Sequence, residues 1–177
     1  MAEDSALGRI HVITGPGKGK TTAAFGMALR AAGHGFRVCI VQFLKTSETT
    51  GEVIAARDVK GIQIKQFGTG GFVDFKHITD VDRSCAGKAL AFTSSLMEKG
   101  DCDMVILDEV NTAAHFCLVN PSEVAKIISA RAKGVEVVLT GRNAPDEFVD
   151  MADYVSAIKV EKHPYDAGLK ARKGIEW

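Results

Sequence analysis

The segment from Thr14 to Thr22 reads TGPGKGKTT and contains the residue types that bind phosphate. Its glycines let backbone N–H groups turn toward one centre, and a helix that follows adds the positive end of its dipole. In a phosphate-binding loop, Lys20 neutralises phosphate oxygens and the Thr21 hydroxyl ligates Mg²⁺. The strict pattern has a glycine where Thr14 stands, so this loop is a variant that is one residue short. It also carries a second lysine, Lys18.

An apolar run that ends in two acids supplies the second half of such a site. Met104 to Leu107 is followed directly by Asp108 and Glu109. A parallel strand brings its terminal carboxylates to the carboxyl edge of the sheet, where the phosphate loop also lies. Magnesium prefers hard oxygen ligands, and carboxylates together with a hydroxyl and phosphate oxygens meet that need. The two segments together predict binding of a magnesium nucleoside triphosphate, and a glycine-rich turn with chance lysines is the weaker interpretation.

The elements that position these residues alternate between short β-branched runs and longer segments of helical period. This alternation predicts an α/β fold, a P-loop NTPase-like three-layer sandwich with a mostly parallel sheet and helices on both faces. The predicted strands are Arg9–Ile13, Arg37–Phe43, Ile62–Phe67, Met104–Leu107, Val135–Leu139 and Tyr154–Val160. The predicted helices are Lys20–Ala32, a long helix between Asp80 and Lys99, Pro121–Ala132 and Pro145–Met151.

Two segments lack a regular period. The stretch from Gly68 to Phe75 has three glycines among eight residues, which indicates a mobile or tightly turned loop. The tail after His163 is expected to cover part of the sheet rather than to extend it. We therefore expect one domain over residues 1–177, with an irregular leader at 1–8 and a lid-like tail at 163–177.

Composition bounds the class of protein. The chain has 177 residues, 46% of them hydrophobic, with 22 basic and 22 acidic side chains. This balance is typical of a folded globular protein, and zero net charge argues against nucleic acid as a general partner. For the locally basic segment Lys159–Lys173, a binding patch and a solvated surface both remain open. We expect a cytoplasmic protein with no membrane span, because no apolar run reaches about 20 residues and no signal sequence is evident. The four cysteines show no CxxC or other zinc spacing and are interpreted as reduced thiols.

Several longer motifs resemble one family. In chain order they are GPGKGKTTAAFG (15–26), RAAGHG (30–35), VQFLK (41–45), VILDE (105–109), TGR (140–142), KHPYDAGLKA (162–171) and GIEW (174–177). From about Ile10 to the C-terminus, the chain is similar to the ATP:corrinoid (cob(I)alamin) adenosyltransferases of the P-loop type. The short loop and the DAGLKA tail form a specific combination.

The resemblance implies that a Co(I) corrinoid attacks the 5′ carbon of ATP and that triphosphate leaves. The products would be adenosylcobalamin, or another adenosyl-corrinoid, and triphosphate. Because cobalt itself is the nucleophile, no Ser–His or Cys–His dyad is required. The resemblance makes Lys18 and Lys20 catalytic, through neutralisation of the departing charge. It assigns nucleotide binding to Gly15, Pro16, Gly17, Lys18, Gly19, Lys20, Thr21 and Thr22, and Mg²⁺ binding to Thr21, Glu109 and Asp108.

The same resemblance suggests a corrin-facing aromatic in the glycine-rich loop. Phe72 stands where the family carries an aromatic pair that covers the lower face of the corrin. No tryptophan accompanies it, since Trp177 is the only one in the chain. Phe75 supplies a second apolar surface at a spacing that is off by one. For both phenylalanines, an anchor packed on the core is the alternative.

Four polar residues have two interpretations each. Asn111 either reaches the corrin side chains or the nucleotide, or caps a helix. Arg142 follows the last core strand, where a phosphate or substrate role and a structural role are equally open. His163 and Asp166 in the tail either contact ATP or the corrinoid, or hold the tail by hydrogen bonds.

The expected partners are ATP, a corrinoid, a reduced flavoprotein or similar electron donor, and a second copy of the chain in a homodimer. The loop alone leaves two alternatives of other classes open. One is a P-loop ATPase or kinase, which attacks the γ-phosphorus and yields ADP. The other is a module that binds ATP or corrinoid without turnover.

Overall fold

A parallel six-stranded sheet lies at the centre of the computed structural model, which describes residues 7–70, 73–164 and 168–177. The strands of the described residues are β1 (Ile10–Thr14), β2 (Val38–Gln42), β3 (Ile62–Gln66), β4 (Met104–Asp108), β5 (Glu136–Thr140) and β6 (Tyr154–Ala157). Their order in the sheet is β3-β2-β4-β5-β1-β6, and each neighbouring pair is parallel. The predicted sheet is confirmed, and it is parallel throughout rather than mostly so.

Helices cover both faces of this sheet. The described helices are α1 (Lys20–Gly33), α2 (Gly51–Arg57), α3 (Asp80–Lys99), α4 (Val110–His115), α5 (Pro121–Ser129) and α6 (Asp146–Met151). Three alanines of α1 pack with Ile40 and Ile106 on one face. The buried residues of α3, α4, α5 and α6 pack with Val41 and Leu107 on the other. The three-layer α/β architecture predicted from the alternating pattern is confirmed.

Local sequence explains where the two longest helices begin and end. Gly19 precedes α1 with a φ of 117°, a value that favours glycine, and His34 ends the helix. Helix α3 begins with a capping box in which Thr79 and Asp82 satisfy each other's backbone N–H groups. It ends at Gly100, whose φ of 65° lies in the left-handed region. Glycines therefore explain where α1 begins and where α3 ends.

The differences from the predicted elements concern short segments. Sequence analysis missed α2, which has seven residues, and α4, which has six and follows β4 almost directly. Helix α5 ends at Ser129 rather than at Ala132. Strand β6 ends at Ala157, because the chain then turns across the phosphate loop, and its four residues are exposed at the edge of the sheet.

All six strands run in one direction, so their carboxyl ends meet at one edge of the sheet. This edge brings together Thr14, Gln42, Asp108 and Thr140, which end β1, β2, β4 and β5. The helix α1 also begins there. The strand ends therefore define where a ligand binds in this fold. Within the described ranges, no helix has the length and apolar character needed to cross a membrane.

Candidate functional site

The loop after β1 is packed tightly against the chain that follows β6. The Gly17 N–H donates to the Ile158 carbonyl over 2.9 Å. A Cβ atom at Gly15 would lie 2.5 Å from the Ile158 oxygen, and one at Gly17 would lie 2.6 Å from the Lys159 oxygen. These glycines are needed because any side chain would overlap with backbone atoms. The segment 158–159 thus holds the loop in its shape.

The amino end of α1 is open toward the cavity beside the loop. No side chain caps this end, so its first N–H groups are available to an anion. The largely buried Lys20 ammonium donates to the carbonyls of Gly15 over 2.9 Å and Gly17 over 2.7 Å. Burial lowers the pKa of Lys20, and the negative charge of Glu109 partly opposes that shift. The lysine is therefore already folded over the loop.

Asp108 is the most completely buried ionisable group at this edge, with no exposed surface. One carboxylate oxygen accepts hydrogen bonds from the hydroxyls of Thr21 (2.9 Å) and Thr140 (2.7 Å). The other accepts from the Gln42 amide (2.9 Å) and the Lys45 ammonium (2.8 Å). Burial by itself raises the pKa of Asp108, but the Lys45 charge and these hydrogen bonds outweigh it and lower the pKa. The carboxyl group is thus ionised and its orientation is held by four donors.

Glu109 points its carboxylate into the cavity from a special backbone position. Its φ is 65°, a left-handed conformation that residues other than glycine rarely adopt. The Thr140 hydroxyl accepts a hydrogen bond from its N–H over 3.1 Å, and the Thr112 hydroxyl donates to its carboxylate over 2.7 Å. Backbone outliers of this kind often occur at functional sites. The sharp turn here lets β4 and α4 follow each other while Glu109 faces the loop.

The donors at this place fit a small hard cation. In the described parts of the chain, no group of three or more His, Cys, Asp and Glu side chains could hold a metal ion. A magnesium ion here would therefore rely on Asp108, Glu109 and the Thr21 hydroxyl, with phosphate and water oxygens completing its shell. The ammonium of Lys45 already lies among these oxygens as a cation. Carboxylate and hydroxyl oxygens of this kind are the ligands that Mg²⁺ prefers.

The C-terminal tail lies against the loop and forms one wall of the cavity. The Lys18 ammonium donates to a Glu176 carboxylate oxygen over 2.9 Å and to the Ile175 carbonyl over 3.1 Å. Arg172 also pairs with Glu176, at 3.1 Å. In this structure, Lys18 thus contacts the tail, whereas Lys20 contacts the loop.

A cavity of about 870 Å³ brings many of the predicted site residues together. It is lined by Gly17, Lys18, Gly19, Lys20, Thr21, Thr22, Glu109, Arg142 and His163 from the predicted set. Gly15, Pro16 and Asp108 belong to the same loop and strand end but do not line this cavity. Phe72 and Asp166 lie outside the described residues. The volume is in the range of cavities that bind cofactors and small molecules.

Asn111 is placed differently from the other predicted residues. Its side chain is fully buried beneath the cavity wall and donates to the carbonyls of Ile13 and Gly141 over 3.4 and 3.3 Å. The interpretation of Asn111 as a helix cap is wrong, because Glu109 stands at the N-cap of α4. The described residues offer no hydrogen-bond partner to its amide oxygen.

Two aromatic side chains form an apolar part of the cavity lining. Phe75 and Phe116 stack with ring centroids 3.9 Å apart and an angle of 14° between the ring planes. Both line the cavity, and Phe75 also packs against the hydrophobic core. The two interpretations of Phe75, a core anchor and an apolar surface of the site, are therefore compatible.

Sequence analysis missed several residues that meet at this site. Gln42 and Lys45 come from β2 and the segment after it, Thr140 ends β5, and Glu176 comes from the tail. Lys45 and Glu176 lay in motifs that resembled the family, yet nothing in the sequence paired them with Asp108 or Lys18. Their roles depend on which strands are neighbours, and that is visible only in the folded chain.

Comparison with known proteins decides the family. A family model described as "ATP:corrinoid adenosyltransferase BtuR/CobO/CobP" matches residues 6–177. The chain belongs to this family. It is also similar to the corrinoid adenosyltransferase of Escherichia coli K12, with 35% identity over 170 residues that span 96% of this chain and 86% of that protein. The corrinoid adenosyltransferase CobA of Salmonella typhimurium is 36% identical over 170 residues, with the same coverage of both chains.

A solved structure supports the fold separately. The crystal structure of a KaiC-like protein from Pyrococcus horikoshii aligns with a TM-score of 0.55 at 11% identity, covering 86% of this chain and 72% of that one. At this identity the likeness concerns the fold alone. By its family, the chain is an enzyme of the corrinoid adenosyltransferase type with ATP and a corrinoid as substrates. A P-loop ATPase, a kinase or a non-catalytic binding module is not favoured.

Proposed function

We propose that this adenosyltransferase binds ATP with its triphosphate in the loop and the ribose toward the apolar side of the cavity, where the corrinoid lies. One observation carries this proposal: the same cavity is lined by both cationic and aromatic side chains. The cationic side chains are those of Lys18, Lys20, Lys45 and Arg142, and the aromatic ones are those of Phe25, Phe75, Phe116 and Trp177. A triphosphate suits the first, and the large apolar face of a corrin suits the second.

The proposed reaction exchanges one bond for another. The cobalt of the reduced corrinoid donates its electron pair to the 5′ carbon of ATP and forms a cobalt–carbon bond. The bond from that carbon to the triphosphate oxygen breaks, and its electron pair leaves with triphosphate. The groups that bind the departing charge are the loop N–H groups, Lys20 and Lys18, together with the Thr21 and Thr22 hydroxyls.

Magnesium belongs to the same proposal. Thr21, Glu109 and Asp108 would hold it, and when bound it would neutralise part of the negative charge of the triphosphate. The hydrogen bonds from Thr112 to Glu109 and from Thr140 to Asp108 support this assignment, because they orient both carboxylates.

The remaining binding residues divide between the two substrates. Arg142 and His163 line the cavity, which supports contact with ATP or the corrinoid. Phe75 and Phe116 are proposed to face the corrin, together with Phe72. Asp166 is proposed to act from the tail, and buried Asn111 to position the wall of the cavity. We also propose that residues 1–177 act as one domain, with 1–8 as its leader and 163–177 as its lid.

We further propose a homodimer that receives electrons from a reduced flavoprotein or a similar donor in the cytoplasm. Exposed Tyr154 and Val155 at the free edge of β6 support a partner surface. The four cysteines are free thiols, which supports a reducing compartment. Analytical ultracentrifugation tests the proposed homodimer. A single species at the monomer mass of 18.9 kDa would contradict it.

The reaction is tested by incubating the protein with MgATP and chemically reduced cobalamin. We expect the absorption spectrum of adenosylcobalamin and an equal amount of free triphosphate. Formation of ADP instead would indicate attack at the γ-phosphorus. Saturable binding of ATP or cobalamin without either product would indicate a binding module.

A further inference from the structure

The ammonium of Lys45 lies at the place proposed for magnesium. Its nitrogen is 2.8 Å from a carboxylate oxygen of Asp108, 2.9 Å from the Thr21 hydroxyl and 3.8 Å from a carboxylate oxygen of Glu109. All three of the residues proposed to ligate the metal are therefore in contact with one lysine. The lysine comes from the segment after β2, which neighbours β4 in the sheet.

Lys45 supplies the positive charge that the buried carboxylate needs. The three other donors to Asp108 are the Thr21 and Thr140 hydroxyls and the Gln42 amide, all of which are neutral. A buried carboxylate without a counter-charge is strongly destabilising. Lys45 thus compensates the buried charge of Asp108.

Two cations do not fit in this place together. A magnesium ion bound by the same oxygens would lie within hydrogen-bonding distance of the Lys45 ammonium. The repulsion between them would be strong, because the Asp108 carboxylate that both would contact is fully buried. Metal entry therefore requires Lys45 to move away from Asp108.

Lys45 has a route out of the carboxylate site. Its side chain is 31% exposed, and it lines the same cavity as Lys20 and Arg142. The four-carbon stem of lysine is flexible, so its ammonium can reach an anion in that cavity without a change of the backbone. The triphosphate of bound ATP provides such an anion.

We propose that Lys45 occupies the magnesium position in the ligand-free enzyme and yields it when the triphosphate binds. The inference rests on the metal site of the proposed function. Its consequence is that the metal arrives with the nucleotide and binds the free protein weakly. Lys45 is thus a residue that exchanges between two anionic partners during the binding of MgATP.

The test measures binding of Mn²⁺ alone to the nucleotide-free protein by electron paramagnetic resonance. We expect Lys45→Met to bind Mn²⁺ at least about tenfold more tightly than the wild type, because the site is no longer blocked. Lys60→Met is the matched control, since Lys60 is exposed and precedes β3 at the opposite edge of the sheet. It should bind Mn²⁺ as the wild type does. Mn²⁺ should also raise the melting temperature of Lys45→Met while leaving that of the wild type unchanged.

Equal Mn²⁺ affinity of the folded Lys45→Met variant and the wild type would overturn the inference. If Lys45→Met does not fold, Lys45→Gln, which keeps a hydrogen-bond donor without the charge, is measured against the same criterion. Absence of enzyme-bound Mn²⁺ in every protein, even with ATP present, would overturn the metal site and with it this inference. Triphosphate release from ATP and reduced cobalamin is measured separately, so that result would leave adenosyl transfer to be judged by its own products.

Discussion

The ammonium of Lys18 lies 2.9 Å from a carboxylate oxygen of Glu176, so the phosphate loop and the C-terminal tail are joined by an ion pair. The same carboxylate pairs with Arg172, which closes the last turn of the tail on itself. Lys18 was predicted to face the triphosphate, and in this structure an anion of the chain itself, the Glu176 carboxylate, lies beside it. The tail is therefore held against the phosphate loop by charge.

This relationship predicts an acid-dependent release of the tail. Hydrogen bonds from the Arg172 and Lys18 side chains lower the pKa of Glu176 from 4.5 to about 2. Because the folded pKa is depressed, the attraction is complete above about pH 4.5 and is lost progressively as the pH falls toward 2. Trp177 is the only tryptophan, and its fluorescence should report the release in this range.

The Glu176→Gln variant is the control for tail release. We expect its tryptophan emission at pH 7 to resemble that of the wild type in acid, since the charge pair is absent. Far-UV circular dichroism must stay constant over the transition to exclude general unfolding. Identical emission of the variant and the wild type at pH 7 would contradict the role of the pair.

Substitution of Lys20 tests the phosphate loop. The Lys20→Ala variant should lower kcat/KM for adenosyl transfer by about 10²–10³-fold, because the departing triphosphate loses a buried cation. The measurement is triphosphate release with reduced cobalamin, and Lys88→Ala on the exposed face of α3 serves as the control. Full activity of Lys20→Ala would be inconsistent with the assigned role.

Removal of the Phe116 ring tests whether the corrinoid, rather than ATP, contacts the aromatic lining of the cavity. The Phe116→Ala variant should raise KM for the corrinoid by about three- to tenfold, the worth of one aromatic stacking contact, and change KM for ATP little. Phe92→Ala is the matched control, since Phe92 packs against Phe67 with tilted rings and does not line this cavity. A larger increase in KM for ATP than in KM for the corrinoid would argue against contact between the aromatic side chains and the corrin.

Two glycine substitutions should change stability in opposite directions. Gly17→Ala should lower the free energy of unfolding by about 1–3 kcal/mol, because its Cβ would overlap with the Lys159 carbonyl. Gly26→Ala in α1 meets open space and should raise that free energy by about 0.5–1 kcal/mol. Urea unfolding measures the free energy of unfolding of both variants. Equal stability of Gly17→Ala and the wild type would show that the loop can shift to accommodate a Cβ atom at this position.

Features encoded by neighbouring residues were predictable from the sequence. The strand, loop and helix around Lys20 depend on local glycines and a local hydrophobic period, as does the apolar strand before Asp108. The long helix that Gly100 ends was recognised for the same reason. Helices α2 and α4 have only seven and six residues and were missed, whereas α6, which is equally short, was recognised with Pro145 at its start.

Contacts between distant residues were decided only by the tertiary structure. Lys45 is 63 residues from Asp108, and Lys18 is 158 residues from Glu176. Which charges meet depends on the strand order, in which β2 lies beside β4 and β6 beside β1. That order follows from the packing of whole helices and strands, and no local pattern records it. The sequence by itself therefore determined the fold class, the phosphate loop and the acids of the site, while the folded chain decided which residues neutralise them.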